Sequence, residues 1–287
     1  MDTASPSPLV DAVELSALLA GDPGSRPVVL DVRYPGPGSP VDGHAQYLQG
    51  HVPGAAYLDM DTALAAPHVP GVTGRHPLPE VEVLQAALRA AGVSAGRPVV
   101  VYDDWKSIAA ARAWWLLLWA GHEDVRVLDG GWRAWRAGGG AVEGGEVVPV
   151  PGDVTVRPGG RRVVEAQGAA RIAETGVLLD ARPANRFRGE DETIDPVAGH
   201  IPGARSLPAL ELVDETGRFL PAAELAAKFE AVGAAPGVEV GLYCGSGIQA
   251  CHAALAGAAS GILADPVLYA SSWSGWVTDA DRPVALG

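Results

Sequence analysis

Cysteine is nearly absent from this chain of 287 residues, which has two, Cys244 and Cys251. Two cysteines make no disulfide framework, so a reducing, cytoplasmic setting is expected. Basic residues are outnumbered: 21 Lys and Arg stand against 34 Asp and Glu, for a formal charge of −13. That balance argues against nucleic acid, whose phosphates demand a basic surface. Long apolar runs are missing as well. The most apolar one, residues 109–120, is broken by Arg112 and is too short to cross a membrane. The opening residues, Met1-Asp2-Thr3-Ala4-Ser5-Pro6, offer no positive region and no apolar signal core, which argues against export. The histidines (His44, His51, His68, His76, His122, His200 and His252) fall in no zinc-like spacing with either cysteine. No GxGxxG or phosphate loop follows a strand, so no metal and no cofactor is expected.

What the chain does contain is a repeat. Val29-Leu30-Asp31-Val32-Arg33 recurs as Leu178-Leu179-Asp180-Ala181-Arg182. Gly50-His51-Val52-Pro53-Gly54-Ala55 recurs as Gly199-His200-Ile201-Pro202-Gly203-Ala204, and Asp and His are 20 residues apart in both copies. Val99 to Asp104 matches Val240 to Gly245, and the block from Val127 to Trp135 echoes that from Val267 to Trp276. Four blocks in one order mark a tandem duplication. The expected division is residues 1–140, a linker over 141–162 rich in Gly, Val and Pro, and residues 163–287. In each half β-rich runs alternate with helical stretches such as 80–91, 109–120 and 222–232. The expected fold is therefore α/β, with a mostly parallel central sheet flanked by helices in each half.

Cys244 stands in Tyr243-Cys244-Gly245-Ser246-Gly247-Ile248-Gln249. An apolar segment, 238–243, reads as a buried strand ahead of it, and a small-residue run, 250–259, reads as a helix behind it. A cysteine there meets unpaired helix amides and the positive end of the helix dipole, which favour the nucleophilic thiolate. Gly245 and Gly247 let the loop curl its amides inward as an anion nest. The first half has Asp103 at the matching place, so at most one half can be a nucleophilic site. Taken alone, the loop also fits a buried core cysteine. His51 and His200, being kept in both halves, read as turn-forming residues, Cys251 reads as a helix-face core residue, and the Trp114-Trp115 pair as core and domain interface.

The tandem blocks with one Cys-Gly-Ser-Gly loop resemble the two-domain rhodaneses, in particular the 3-mercaptopyruvate and thiosulfate sulfurtransferases, from about Val10 to Leu286. The resemblance implies a catalytic second domain, a silent first one, and ping-pong sulfur transfer through a Cys244 persulfide. The partners implied are a small-molecule sulfur donor and a thiol or cyanide acceptor, thioredoxin among the candidates. Amides from Gly245 to Gln249, with Ile248 between them, would hold the persulfide. Ser246 would form a triad with His76 of Gly74-Arg75-His76-Pro77 and with Asp61, Asp59 being the alternative to Asp61. Arg186 would hold the donor's anionic group, while Arg182 reads as structural, paired with Asp180 or with loop carbonyls.

Two departures bear on the donor. Mercaptopyruvate enzymes of this kind carry a second arginine shortly after the position of Arg186. Here the stretch Gly189-Glu190-Asp191-Glu192-Thr193-Ile194-Asp195 has no basic residue, leaving Arg188 as the substitute. The loop also has Gln249 where a threonine is usual. A cysteine phosphatase or arsenate reductase is disfavoured because the residue six after Cys244 is Ala250, not an arginine. A non-catalytic binding module is the remaining alternative, kept open by Gln249 and opposed by the retained Cys244, Gly245, Ser246 and Gly247.

Overall fold

A computed structural model describes residues 7–36 and 38–287; the reading of Met1 to Pro6 lies outside them. Among the described residues there are nine strands: β1 Leu9–Val10, β2 Val28–Asp31, β3 Ala56–Tyr57, β4 Val99–Tyr102, β5 Val125–Leu128, β6 Val177–Asp180, β7 Arg205–Ser206, β8 Val240–Tyr243 and β9 Val267–Leu268. They form two parallel sheets, one of five strands ordered β1-β5-β4-β2-β3 and one of four ordered β7-β6-β8-β9. The strands β2, β4, β6 and β8 are buried along their whole length, as parallel strands covered on both faces must be. Each half is thus the expected α/β unit.

The strand expected over 238–243 is shorter, Val240–Tyr243, and the helix expected from Ala250 starts earlier, at Ile248. Glycine at 247 in the left-handed region closes the turn tightly, so the helix begins at the next residue. The stretches over 80–91, 109–120 and 222–232 are helices Val81–Ala90, Ile108–Trp119 and Ala222–Ala231.

The repeated blocks have a common physical task. In both sheets the register sets the strand-ending aspartate beside a tyrosine: Asp31 beside Tyr102, Asp180 beside Tyr243. Arg33 pairs with Asp31 at 2.5 Å and donates to Gly50 O at 2.8 Å; Arg182 pairs with Asp180 at 2.7 Å and donates to Gly199 O at 2.6 Å. Each guanidinium also lies 4.7 Å from the centre of a tryptophan ring, Trp132 or Trp273. Asp-x-Arg therefore clamps the Gly-His turn to the sheet. The histidines tie the turn to the preceding helix, His51 bonding to Tyr47 O at 2.9 Å and His200 to Phe187 O at 2.7 Å.

The helices Ile108–Trp119 and Ile248–Ser260 are in contact, and one apolar cluster containing Trp114, Trp115, Ala253 and Leu255 runs through both halves. The segment over 141–162 lies extended on the first half, with Gly152 N–H on Arg89 O at 2.8 Å and Arg157 N–H on Ala120 O at 2.8 Å. Among the described residues no helix is long and apolar enough to cross a membrane.

Candidate active site

Cys244 leaves the carboxyl end of β8, a central strand, where open α/β sheets place their binding sites. It is 1% exposed. The Gly247 N–H donates to Cys244 Sγ at 3.1 Å, and the helix Ile248–Ser260 begins one residue on. Gly247 has φ +87°, and a Cβ there would sit 2.4 Å from Ala270 O, so a side chain at this position is excluded twice over. Ile248 is buried and Gln249 half-buried. Cys251 lies in the first turn of the helix, fully buried, its thiol donating to Gly247 O at 3.2 Å. Burial pushes that thiol up to about 12, which leaves it protonated and unreactive.

Ser272 was not anticipated. Its Oγ accepts the Cys244 N–H at 3.0 Å and stands 4.0 Å from Sγ. It holds the left-handed conformation, φ +53°, where the first half has Gly131 at φ +56°. That serine-for-glycine exchange, just before Trp273 in the block from Val267 to Trp276, was visible in the repeat.

Of the triad residues, His76 and Asp61 come together: His76 Nε2 is 3.7 Å from Asp61 Oδ1, too long for a hydrogen bond. Ser246 is buried in the loop, and among the described residues no hydrogen bond joins its hydroxyl to His76. Asp59 instead caps a helical turn, accepting Thr62 N–H at 2.8 Å, which assigns it a structural role. Burial lowers the His76 pKa to about 4, assisted by the charges of Arg112 and Arg75. Its ring is therefore neutral near pH 7, with Nδ1 buried and unpartnered. Burial raises Asp61, with Asp59 adding to the effect and the Tyr34 hydroxyl opposing it.

Arg112, which the sequence presented only as a break in an apolar run, is fully buried in the helix Ile108–Trp119. It donates to Pro77 O at 3.2 Å, His76 O at 3.3 Å and Gly247 O at 3.5 Å. The first half thus ties its own histidine segment to the cysteine loop of the second. An arginine inside an otherwise apolar helix was the signal.

The arginines depart from expectation. Arg186 is held by two carboxylates: Glu192 at 3.0 Å and Asp195 at 2.7 Å. Asp195 is also paired with Arg75 from the first half. Arg188, the substitute expected for the missing arginine, is not among the side chains nearest Gly245. Its side chain is 45% exposed and paired with Glu190 at 2.7 Å, so it is held at the surface by its own neighbour. Around Gly245 the nearest side chains are Arg75, Arg186 and Arg182. The loop lacks a cation of its own, and the guanidinium ends of Arg75 and Arg186 reach Gly245 from outside it.

With this geometry in place, likeness to known proteins decides the class. A rhodanese-like domain profile matches residues 11–138 and again 165–279. The chain belongs to the rhodanese-like family. A Mycobacterium tuberculosis protein named among the thiosulfate sulfurtransferases, SseB, is 45% identical over 97% of both chains. A Pseudomonas aeruginosa protein named among the 3-mercaptopyruvate sulfurtransferases is 44% identical over 99% of both. The structure of SseA from Escherichia coli superposes with a TM-score of 0.82 at 33% identity, covering 93% of this chain and 99% of that one. The protein is a sulfurtransferase.

Proposed function

We propose that the protein carries a sulfane sulfur from 3-mercaptopyruvate or thiosulfate, through a Cys244 persulfide, to a thiol or cyanide acceptor. The observation that carries this reading is the Gly247 amide aimed at Cys244 Sγ from 3.1 Å, at the start of a helix of 13 residues. Such preorganised N–H donors stabilise a sulfur anion without any reorganisation during the reaction.

In the first half-reaction the Cys244 thiolate attacks the donor's sulfur. With 3-mercaptopyruvate a new S–S bond forms, the donor's C–S bond breaks, and the donor's thiol proton passes to the departing carbon, leaving pyruvate. With thiosulfate the donor's S–S bond breaks and sulfite leaves. In the second half-reaction a thiolate or cyanide takes the outer sulfur, and Cys244 returns as thiolate. Charge is conserved in both steps.

Ser246, His76 and Asp61 are assigned to the proton transfer that the mercaptopyruvate reaction needs. A His76 pKa near 4 keeps the ring neutral and able to accept a proton. Arg186 is assigned to the donor's anionic group, its fork suiting a carboxylate or a thiosulfonate. Thioredoxin is among the thiol acceptors to be tried, and a cytoplasmic setting suits a chain with two free cysteines.

The test is the intact mass of the purified protein after brief exposure to each donor, with Cys244→Ser in parallel. Gain of one sulfur atom, removable by cyanide and absent from the variant, is expected. No gain from either donor would overturn the persulfide route and favour a binding role.

A further inference from the structure

Only one donor-binding arginine, Arg186, comes from the second half, and the stretch after it supplies carboxylates. Glu192 takes the Nε and Nη2 edge of Arg186, at 3.0 Å each. Burial opposes the ionisation of Glu192, but Arg186 and the amides of Asp195 and Ile194 outweigh it and hold its carboxyl below the usual range. Asp195, with its side chain 2% exposed, uses its two oxygens separately: Oδ2 accepts from Arg186 Nη2 at 2.7 Å, and Oδ1 from Arg75 Nη1. One buried carboxylate thus holds two guanidiniums from the two halves of the chain.

Both guanidiniums keep an edge in reserve. Arg75 Nη2 and Arg186 Nη1 have no bonded partner among the described residues, and they point to the same place. A Cβ built on Gly245, the residue after the nucleophile, would lie 2.8 Å from the first and 3.5 Å from the second. Any side chain there would fill the space between them. The backbone around Arg75 is fixed as well. Its N–H donates to Ser274 Oγ at 3.0 Å, and a Cβ on Gly74 would lie 2.4 Å from Ser271 O. The Arg75 side chain is 24% exposed, so the unbonded end beside the cysteine loop is open to a ligand.

We propose that Arg75 is a second donor-binding residue, reaching over from the first half, and that Asp195 is the positioning residue that aims Arg75 and Arg186 together. The inference rests on the sulfur-transfer reading for the identity of the ligand, a small donor with a carboxylate or similar oxyanion. Glu192 and Asp195 match the charges of the two arginines. The donor's anion is therefore held by directed N–H groups rather than by surplus positive charge.

The experiment compares Arg75→Gln and Arg75→Lys with the parent enzyme. Expected for Arg75→Gln is a KM for 3-mercaptopyruvate raised about tenfold to a hundredfold, the loss of a charge-assisted hydrogen bond. Persulfide formation at saturating donor should stay within about threefold, because binding rather than the chemical step is lost. Inhibition by pyruvate, a carboxylate without transferable sulfur, should weaken by the same factor. A fall in melting temperature with unchanged KM and unchanged pyruvate inhibition would make Arg75 a brace and overturn the inference. Should Arg75→Gln not fold, Arg75→Lys, which keeps charge but loses the fork, carries the same expectation of raised KM. Pyruvate binding to Cys244→Ser protein separates the two readings, since it needs no sulfur transfer. Binding there that depends on Arg75 supports the anion site even if no persulfide forms, and binding indifferent to Arg75 overturns it even if one does.

Discussion

Asp103 and Cys244 occupy the same place in the two halves, and the same amide serves both. Ser107 N–H donates to Asp103 Oδ1 at 2.9 Å, and Gly247 N–H donates to Cys244 Sγ at 3.1 Å, each from the residue before its helix. Asp103 Oδ2 accepts the Ala110 N–H at 2.9 Å as well. Burial pushes this carboxyl up to about 6, while backbone amides, those of Ala110 and Trp105 first, hold it down. A carboxylate and a persulfide put their anionic atom at the same two-bond reach from Cβ. The first half therefore carries, as oxygen, the anion that the other half is read to carry as sulfur, with Ala250 standing where Ala110 stands.

From this follows the behaviour of Cys244→Ser. A hydroxyl has the size for the site but cannot hold a second sulfur, so turnover should fall by about a thousandfold or more. The melting temperature should stay close to the parent's. Retained turnover in a coupled thiocyanate assay would remove Cys244 from its role.

Ser272 is best tested through the comparison with Gly131. Ser272→Gly relieves the strain of a left-handed non-glycine residue but deprives the Cys244 amide of its acceptor. These effects oppose each other, so stability should change by about 1 kcal/mol or less while turnover falls. Ser272→Ala keeps the strain and loses the bond, and should cost about 1–3 kcal/mol. Equal denaturant midpoints for the two variants would mean that the backbone strain has no effect.

The central sheets and the two linked halves were legible because they rest on local pattern: buried β-rich runs, and blocks repeated at constant spacing. Cys244 was legible because strand, glycine loop and helix follow one another in sequence. The arginine site was not, because Arg75 and Asp195 are 120 residues apart and meet only across the interface. Arg112 and Ser272 stood out as residue types, one inside an apolar helix and one opposite a glycine of the repeat, but their partners, Gly247 O and the Cys244 amide, are backbone groups that only the fold brings to them. The stretch 189–195 read only as lacking a second arginine, and the fold places its Glu192 and Asp195 against the guanidiniums of Arg186 and Arg75.

Arg186→Ala is not a clean probe of donor binding. It strips Glu192 of its closest cation and leaves Asp195 with Arg75 alone, and these two carboxylate side chains are only 3% and 2% exposed. Breaking a buried pair in this way costs about 3–5 kcal/mol. A lower urea midpoint together with a raised donor KM is expected. Arg186→Lys, which keeps the charge, should raise KM with much less loss of stability. If alanine left both quantities unchanged, the cluster would be neither structural nor substrate-binding.

Asp195→Asn changes the charge balance at the donor site. In the parent, Glu192 and Asp195 offset Arg75 and Arg186, an arrangement suited to a donor with one negative charge, as 3-mercaptopyruvate has near pH 7. Removing one carboxylate leaves the cluster one unit more positive and favours a dianion such as thiosulfate. The ratio of kcat/KM for thiosulfate over mercaptopyruvate should rise about tenfold, even as both values fall from loss of alignment. A ratio that does not move would mean that charge at this cluster does not choose the donor.

His76 gives the sharpest pH dependence. Its pKa falls from 6.5 to about 4, chiefly through burial and then through Arg112, Arg75 and His68, with Asp61 the carboxylate facing it. In the unfolded chain the ring takes up a proton near pH 6.5, while the folded protein refuses it until about pH 4. Between those values the unfolded state binds more protons, so acid favours unfolding. The contribution of His76 is present in full above pH 6.5 and is lost progressively as the pH falls toward 4, by about 3 kcal/mol in all. His76→Gln lacks that proton, so its urea stability should decline less than the parent's over the same range. On the activity side, the acid limb with mercaptopyruvate should lie well below the ordinary histidine range, because the relay needs the neutral ring. A limb centred at 6.5, with parallel stability curves for parent and variant, would mean that His76 titrates as a solvated histidine and cannot be the buried base of the relay.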